Sequence, residues 1–374
     1  MTLTNSASIV FYLLFFTLLI LFSYLGFYKK NKICAVLAIL LPVLVAGFRF
    51  NVGTDYAAYY EMYNQVSNES YDEVMSRLKT GASEPLILLL ISLCGNVLFG
   101  HWLFFATFAF ITSLFLYLSF KKFDEKKSWL LYSGAMLILF PLSFNAMRQI
   151  AAISVITYVL MNIIFDKKKR YLHYLIFTLL AVSIHYSTIL FLPVLLVPLI
   201  AMKTNYKRLS LFIMIALGVA LIILPPLMNI ILEAGILPDK YANTFEQYES
   251  AAISFDLLII GIIAALVFIT RKHFNSYPKE TNRIIMTMMS CAVFYAGLGL
   301  FSAYIGRMAD FFWPINIITL WLIIDRLKDK PQTKMFIFLI IPILYFIASY
   351  IIMGNSQIIP YQVMLWVLKQ IWFQ

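Results

Sequence analysis

Three arginines and one histidine occupy positions where ionisable side chains are costly. Arg49 directly follows an apolar run, and Arg148 and Arg307 lie in short turns between apolar runs. His185 lies at the apex of a short apolar hairpin, in the segment SIHYST. Ionisable residues next to long apolar segments point to function by default, so these four are the first candidates for chemistry.

These residue types suit the handling of a diphosphate. Arginine keeps its charge and presents a planar fork of donors that binds phosphate in a bidentate manner. Three such groups can hold a diphosphate without a metal. His185 can take a proton from a hydroxyl near neutral pH, and Asp55, in the segment FRFNVGTDY, is a second candidate base.

Each candidate also has a simpler interpretation. A boundary arginine can extend its side chain to lipid phosphates, and His185 can be a hydrogen-bonded turn residue. Asp55 can cap a helix that starts at Tyr56, and Asp310 can pair with Arg307, three residues before it.

Four tyrosines follow Asp55 at helical spacing. A stripe of this kind is typical of an interfacial aromatic belt, and it would also suit stacking against sugar rings. The four are Tyr56, Tyr59, Tyr60 and Tyr63.

The composition requires a membrane. Of the 374 residues, 62% are hydrophobic, 17% aromatic and 13% charged, whereas an ordinary soluble domain is about 45–50% apolar and about 25% charged. The net charge of +11 does not indicate nucleic acid, because most of the basic residues cluster in short loops between apolar runs. Such loops stay in the cytoplasm. The six clusters are 29–32, 121–127, 167–170, 203–208, 271–283 and 326–334.

The apolar runs between these clusters predict an all-α, polytopic membrane protein with roughly 12 transmembrane helices and the N-terminus outside. The short apolar segment 85–99 would be a re-entrant or half-membrane helix. The runs are 6–28, 33–48, 102–120, 128–146, 149–165, 171–184, 187–202, 209–232, 253–270, 284–304, 311–325 and 335–353.

The chain is predicted to form a single transmembrane domain over residues 1–374, with external loops at 49–84 and 233–252. The tail 354–374 is predicted to be external or interfacial, with an amphipathic helix. The three cysteines lie in apolar runs without metal-ligand spacing, so we interpret them as packing residues rather than as a redox or zinc site. No metal and no cofactor are predicted.

This topology places the three arginines, His185 and Asp55 on one external face. A diphosphate leaving group, a base and a membrane together favour glycosyl transfer from a lipid diphosphate.

Four segments resemble the EpsG family of Wzy-like polysaccharide polymerases. The first, FRFNVGTDYAAYY at 48–60, is similar to a family signature in which an arginine closes the second helix and a Gly-Thr-Asp-Tyr motif opens the first external loop. The others follow in the expected order: NAMRQIAA at 145–152, SIHYSTILFL at 183–192 and YIGRMADFF at 304–312.

The resemblance implies an enzyme of the bacterial cytoplasmic membrane whose active site faces outside. It would polymerise repeat units of a capsule, exopolysaccharide or O-antigen. The donor would be a chain on undecaprenyl diphosphate, and the acceptor would be the non-reducing-end hydroxyl of another lipid-linked unit. A chain-length regulator is a further expected partner, and nucleic acid is not.

The resemblance also implies roles for individual residues. Arg49, Arg148 and Arg307 would bind the donor diphosphate, and His185 or Asp55 would deprotonate the acceptor. The remaining candidates would orient sugar or, in the case of Asp310, hold Arg307 in place. They are Gln149, Ser187, Tyr56, Tyr59 and Asp310.

Two other classes remain open. A flippase of lipid-linked oligosaccharide would also need arginines that face a diphosphate, but transporters commonly show paired halves, and no repeat is visible in this sequence. An O-antigen ligase would share the chemistry and differ in its acceptor.

Overall fold

The computed structural model describes residues 2–203 apart from 82, 96, 98, 124–125 and 167–169, scattered positions between 208 and 223, and residues 255–270, 279–299 and 307–363. The predicted external loop 233–252, most of the predicted apolar run 209–232 and residues 364–374 of the predicted tail lie outside these residues. Over the described residues every regular element is helical, with two isolated β-bridges. The all-α prediction is confirmed there.

Apart from α3 and α4, the described helices lie within or close to the predicted apolar segments. In chain order they are α1 Asn5–Phe27, α2 Lys32–Gly47, α3 Tyr56–Ser67, α4 Tyr71–Thr80, α5 Pro85–Cys94, α6 Gly100–Phe120, α7 Ser128–Leu142, α8 Met147–Phe165, α9 Tyr171–Ile184, α10 Leu192–Lys203, α11 Phe255–Thr270, α12 Lys279–Leu298, α13 Trp313–Ile324 and α14 Pro331–Phe346.

Five helical stretches in the described residues are long and apolar enough to cross a bilayer. The count of about twelve crossings and the external N-terminus stay predictions. The five are Asn5–Phe27, Gly100–Phe120, Met147–Phe165, Arg307–Ile324 and Pro331–Ile352.

The chain divides into two compact units, one formed by Met1–Ile189 with Pro331–Gln374 and the other by Leu190–Lys330. In the first unit, α6 packs against α2, α7 and α8, and nearly every residue of α7 and α8 is buried. A helix that is apolar on all sides belongs in a core. Around this core, α1 and α9 expose large apolar side chains, as helices that face lipid do.

In the second unit, α12 packs against α10 and α11. A 3-10 helix, Arg307–Phe312, leads directly into α13. The rings of Phe191 and Phe311 stack with their centroids 4.8 Å apart. The Tyr295 hydroxyl donates to the Leu190 carbonyl at 2.9 Å.

The predicted external loop 49–84 folds into two short helices, α3 and α4. Ser70 and Glu73 form a capping box at the start of α4, and Gly81 ends the helix in the left-handed conformation. The next helix, α5, begins at Pro85 and has ten residues. Its length of about 15 Å is half the hydrocarbon core of about 30 Å, which fits the half-membrane helix predicted within 85–99.

Residues 355–363, here called the C-terminal strap, return to the start of the chain. Gln362 forms a β-bridge with Thr2, and Val363 forms one with Arg49. The Tyr361 hydroxyl donates to the Val45 carbonyl at 2.7 Å. This part of the predicted tail is therefore packed into the first unit.

Gly53 joins the segment before α3 to the turn between α7 and α8. Its φ is +97°, and a Cβ there would overlap the Phe144 carbonyl oxygen. Beside it, the Thr54 amide donates to Asn145 Oδ1 at 2.8 Å. Two segments that are 91 residues apart are thus locked together, and only glycine fits the contact.

We expect Gly53→Ala to lower the stability of the protein sharply. The alanine would carry backbone strain of about 1–2 kcal/mol and would also force the Phe144 backbone to move. The measurement is the midpoint of thermal unfolding in detergent. Gly81→Ala is the matched control, because Gly81 has φ +68° and no described atom beyond its chain neighbours and its own helix backbone lies within 4 Å of the position that its Cβ would take. Equal shifts for the two variants would contradict the close-contact explanation.

Candidate active site

A single carboxylate, that of Glu84, joins two of the predicted site residues. Its Oε2 accepts from Arg148 Nη1 at 2.6 Å, and its Oε1 lies 3.1 Å from His185 Nδ1. Glu84 is only 7% exposed. The segments that supply these residues are remote in sequence, and together they form what is called here the Glu84 cluster (Glu84, Arg148 and His185).

Local structure explains why Glu84 is available for this role. It lies at the N-cap of α5, and Pro85 provides the first helical residue. The Glu84 side chain makes no capping hydrogen bond. His185 ends α9 with an extended backbone. Each side chain thus projects from the end of a helix.

The electrostatics of the cluster favour an ionised Glu84. Burial alone raises the pKa of the Glu84 carboxyl, but the hydrogen bond to His185 and the charge of Arg148 outweigh burial. The pKa therefore lies below its ordinary value of 4.5. A buried carboxylate with two such partners is stable, whereas the same carboxylate without them would be costly.

Arg148 lies in the first turn of α8, where the helix dipole disfavours a cation. Glu84 offsets this cost. The guanidinium carbon also lies 5.3 Å from the centre of the Tyr59 ring, within range of a cation–π interaction. Burial raises the pKa of Tyr59, although the charge of Arg148 opposes the shift. Tyr59 is therefore an uncharged side chain that packs against the cluster.

Arg49 lies in a buried, aromatic environment. It is only 2% exposed, and its guanidinium carbon lies 4.4 Å from the ring centre of Phe144, 5.0 Å from that of Phe105 and 5.9 Å from that of Tyr56. Its Nε and Nη1 are buried without a hydrogen-bond partner among the described residues. Burial lowers the pKa of Arg49 to about 10, so it is still a cation at neutral pH.

Asp55 and Tyr56 start α3. Asp55 occupies the N-cap position, but its side chain makes no capping hydrogen bond, and its Oδ1 accepts from Thr54 Oγ1 at 3.2 Å. Tyr56 is buried, and its ring stacks on Phe105 with the centroids 4.8 Å apart. The Tyr56 ring is thus used for packing and does not present a face to a sugar.

The remaining candidates fall into two groups. Gln149 follows Arg148 and is buried, and Ser187 lies two residues after His185 with a buried hydroxyl that meets no hydrogen-bond partner in the described part of the chain. Arg307 and Asp310 belong to the second unit, in the 3-10 helix before α13, where Arg307 is exposed and Asp310 is buried. A contribution of these two to a diphosphate site stays a prediction.

Glu84 is not among the residues that the sequence predicts for the site. The arginines stand out because basic residues are expected in cytoplasmic loops, and the histidine stands out at the apex of an apolar hairpin. Glu84, in contrast, is predicted simply as the last residue of an external loop. An acid directly before an apolar segment is nevertheless an ionisable residue at a membrane boundary. That signal, applied to acids as well as to arginines, identifies it.

The arrangement has a clear chemical capacity. If the Nδ1–H of His185 donates to Glu84, Nε2 is left as a proton acceptor, with the ring fixed in orientation. Arg148 donates to Glu84 through one terminal nitrogen and also hydrogen-bonds the Tyr59 side chain. Its side chain is 26% exposed, so further N–H groups of the guanidinium can donate to an anion. A base, His185, and an anion-binding group, Arg148, are therefore held by the same carboxylate.

The chain is thus a membrane protein in which a charged cluster lies at the ends of apolar helices. The EpsG family model matches residues 32–363, which is nearly the whole chain. The protein therefore belongs to the EpsG family, a family of Wzy-like polysaccharide polymerases. Neither the curated proteins nor the solved structures contain a significant match to this sequence.

We expect Glu84→Gln to destabilise the protein by about 1–3 kcal/mol, because it leaves the charge of Arg148 without its partner in a largely buried site. Thermal unfolding in detergent measures the loss. Glu69→Gln is the matched control, since Glu69 pairs with Arg77 in a more exposed ion pair, where the cost should stay below about 1 kcal/mol. A larger loss for Glu69→Gln would show that the Glu84 bridge is not the stronger one.

The Glu84 cluster should also make stability depend on acid pH. Because the folded pKa of Glu84 lies below 4.5, its contribution is present above the unfolded pKa and is lost as the pH falls through the folded pKa. The advantage of the wild type over Glu84→Gln should therefore shrink as the pH drops below about 4.5. Unfolding midpoints between about pH 3 and 8 test this. A pH-independent difference would contradict it.

Proposed function

We propose that this protein polymerises lipid-linked oligosaccharide repeat units by glycosyl transfer. The donor is a saccharide chain on a polyprenyl diphosphate, of the undecaprenyl class, and the acceptor is the non-reducing-end hydroxyl of a second lipid-linked unit. The observation that carries the proposal is the Glu84 cluster, which holds a histidine base beside an arginine in a chain of the EpsG family.

The reaction balances without a further reactant. The acceptor oxygen forms a bond to the anomeric carbon of the donor, and the bond from that carbon to the diphosphate oxygen breaks. The lipid diphosphate leaves with the electron pair, while the acceptor proton passes to His185 Nε2. Developing negative charge on the leaving group is what an arginine stabilises best.

Arg148 is the arginine that the first unit offers to the diphosphate directly. Arg49 contributes differently, because its burial leaves it to act as a fixed positive charge among aromatic rings. Arg307 and Asp310 belong to the second unit, and their part in binding the donor stays a prediction. Gln149, Ser187 and Tyr59 lie next to Arg148 or His185, in sequence or through the ring contact, and would orient the sugar.

Contact with Glu84 favours His185 over Asp55 as the base. A carboxylate at Nδ1 fixes the imidazole and stabilises the cation that forms on proton transfer. The Asp55 carboxylate instead accepts a hydrogen bond from the neighbouring threonine, which gives it no such support. Asp55 is then a residue that organises the start of α3 and the sugar-binding surface.

The site would face the outside of the bacterial cytoplasmic membrane. This assignment depends on the positions of the basic loops, which the charge rule keeps in the cytoplasm, and on the family, whose substrates are lipid-linked. A chain-length regulator is an expected partner on the same face.

We expect Arg148→Ala and His185→Gln each to reduce polymerisation by about 100-fold or more, while Asp55→Asn stays within about tenfold. The assay uses purified protein with a synthetic undecaprenyl-diphosphate oligosaccharide and follows a ladder of longer lipid-linked products, with and without EDTA. Arg170→Ala is the matched control, because Arg170 and His185 flank opposite ends of α9.

Each outcome separates two mechanisms. Loss of the ladder in Asp55→Asn with retention in His185→Gln would make Asp55 the base. Full activity of Arg148→Ala would reject the arginine as the diphosphate ligand. Movement of the same lipid across a liposome membrane without a ladder would make the protein a flippase.

A further inference from the structure

A groove lies between α3, α4 and α5, beside the Glu84 cluster. Its volume is about 450 Å³, which falls within the range of pockets that hold small molecules. The walls are mainly apolar and include Val66, Val74, Leu78, Pro85, Leu88 and Leu89.

The groove begins at the residue that follows Glu84 in the chain. Pro85 lines the groove and is bonded directly to Glu84, so the apolar wall begins one residue from the carboxylate that holds Arg148 and His185. Leu89 lies one helical turn further along α5 and Leu93 another turn. They are 54% and 63% exposed. An uncovered apolar path therefore leads away from the cluster along α5.

The opposite wall is covered incompletely by the protein itself. No residue of α4 is buried, although the helix turns Val74, Met75 and Leu78 toward the groove. Three apolar side chains beside an open apolar groove gain from any hydrocarbon that fills it, at about 25 cal/mol for each Å² removed from water.

We propose that this groove receives the polyprenyl tail of the donor lipid, in the part of the tail next to the diphosphate. This inference depends on the proposed function. A polyprenyl chain is attached directly to its diphosphate, so a site that binds the diphosphate at Arg148 needs an apolar path that starts there. The groove is such a path, and α5 directs the rest of the tail along its exposed leucines.

The match is one of chemical type as well as position. An amphiphile with an anionic head and a hydrocarbon tail places its charge beside Arg148 and its tail between α4 and α5. A soluble sugar diphosphate would not use the groove, and a purely apolar ligand would not use the arginine. The volume suits one section of a long tail, and the remainder would continue into the bilayer.

The experiment uses the full-length protein in detergent and a polyprenyl diphosphate that carries a photoreactive diazirine in the isoprene unit nearest the phosphates. Cross-linked peptides are mapped by mass spectrometry. We expect cross-links in α4 and α5 that an excess of unlabelled polyprenyl diphosphate removes. Cross-links confined to other helices, or formed equally in the presence of competitor, would overturn the proposal.

A groove-filling variant tests the site independently. Leu78→Trp should abolish these cross-links and raise the KM for the long-chain donor at least tenfold. Inhibition by a diphosphate with a single prenyl unit should stay unchanged, because the head site is intact. Leu175→Trp is the matched control, since Leu175 is an exposed leucine of α9, and it should leave both values unchanged. An equal effect of the two tryptophans would overturn the proposal.

The results separate this inference from the proposed function. Competed cross-links in α4 and α5 without any polymer ladder would keep the tail groove and reject the polymerase. A polymer ladder with an unchanged KM in Leu78→Trp would reject the groove and keep the polymerase. Protein-to-protein contacts that occupy the groove and exclude the lipid would show that a second copy of the chain covers it, and would also reject the tail site.

Discussion

The first unit depends on the need to stabilise one buried negative charge. The Glu84 carboxylate is nearly inaccessible, and a charge in that position is tolerated only with partners of opposite sign or with good hydrogen bonds. Arg148 and His185 supply both. Since they come from the start of α8 and the end of α9, the carboxylate fixes two helix ends relative to the start of α5. The same two contacts that stabilise the buried Glu84 carboxylate therefore also bring the residues of the site together.

The surrounding contacts keep this arrangement rigid. Gly53 and Thr54 bind the segment before α3 to the turn before α8, and Tyr59 on α3 covers Arg148. Arg49 adds a cation surrounded by aromatic rings from three different segments. A site intended to stabilise charge in a transition state benefits from groups that are already in place, because little reorganisation is then needed during the reaction.

The sequence predicts the fold better than it predicts the site. Apolar runs translate directly into helices, so elements such as α6 and α8 follow from composition and length. The approach of Arg148 and His185 is predicted only as a shared membrane face, and the residue that joins them, Glu84, is not predicted at all. Arg49 is expected to bind ligand, but aromatic rings from other segments bury it. Such burial depends on tertiary packing between remote segments, and the residue pattern within one segment does not predict it.

The C-terminal strap has a consequence for how the protein is made. Residues 331–363 complete the first unit, yet they are translated after the whole of the second unit. The β-bridge between Arg49 and Val363 and the hydrogen bond from Tyr361 to the Val45 carbonyl can therefore form only after more than 300 further residues have been synthesised. During biogenesis the N-terminal helices must remain in the membrane as an unfinished bundle. Premature termination before the strap would leave that bundle open beside its charged residues, a state suited to recognition by quality-control proteases.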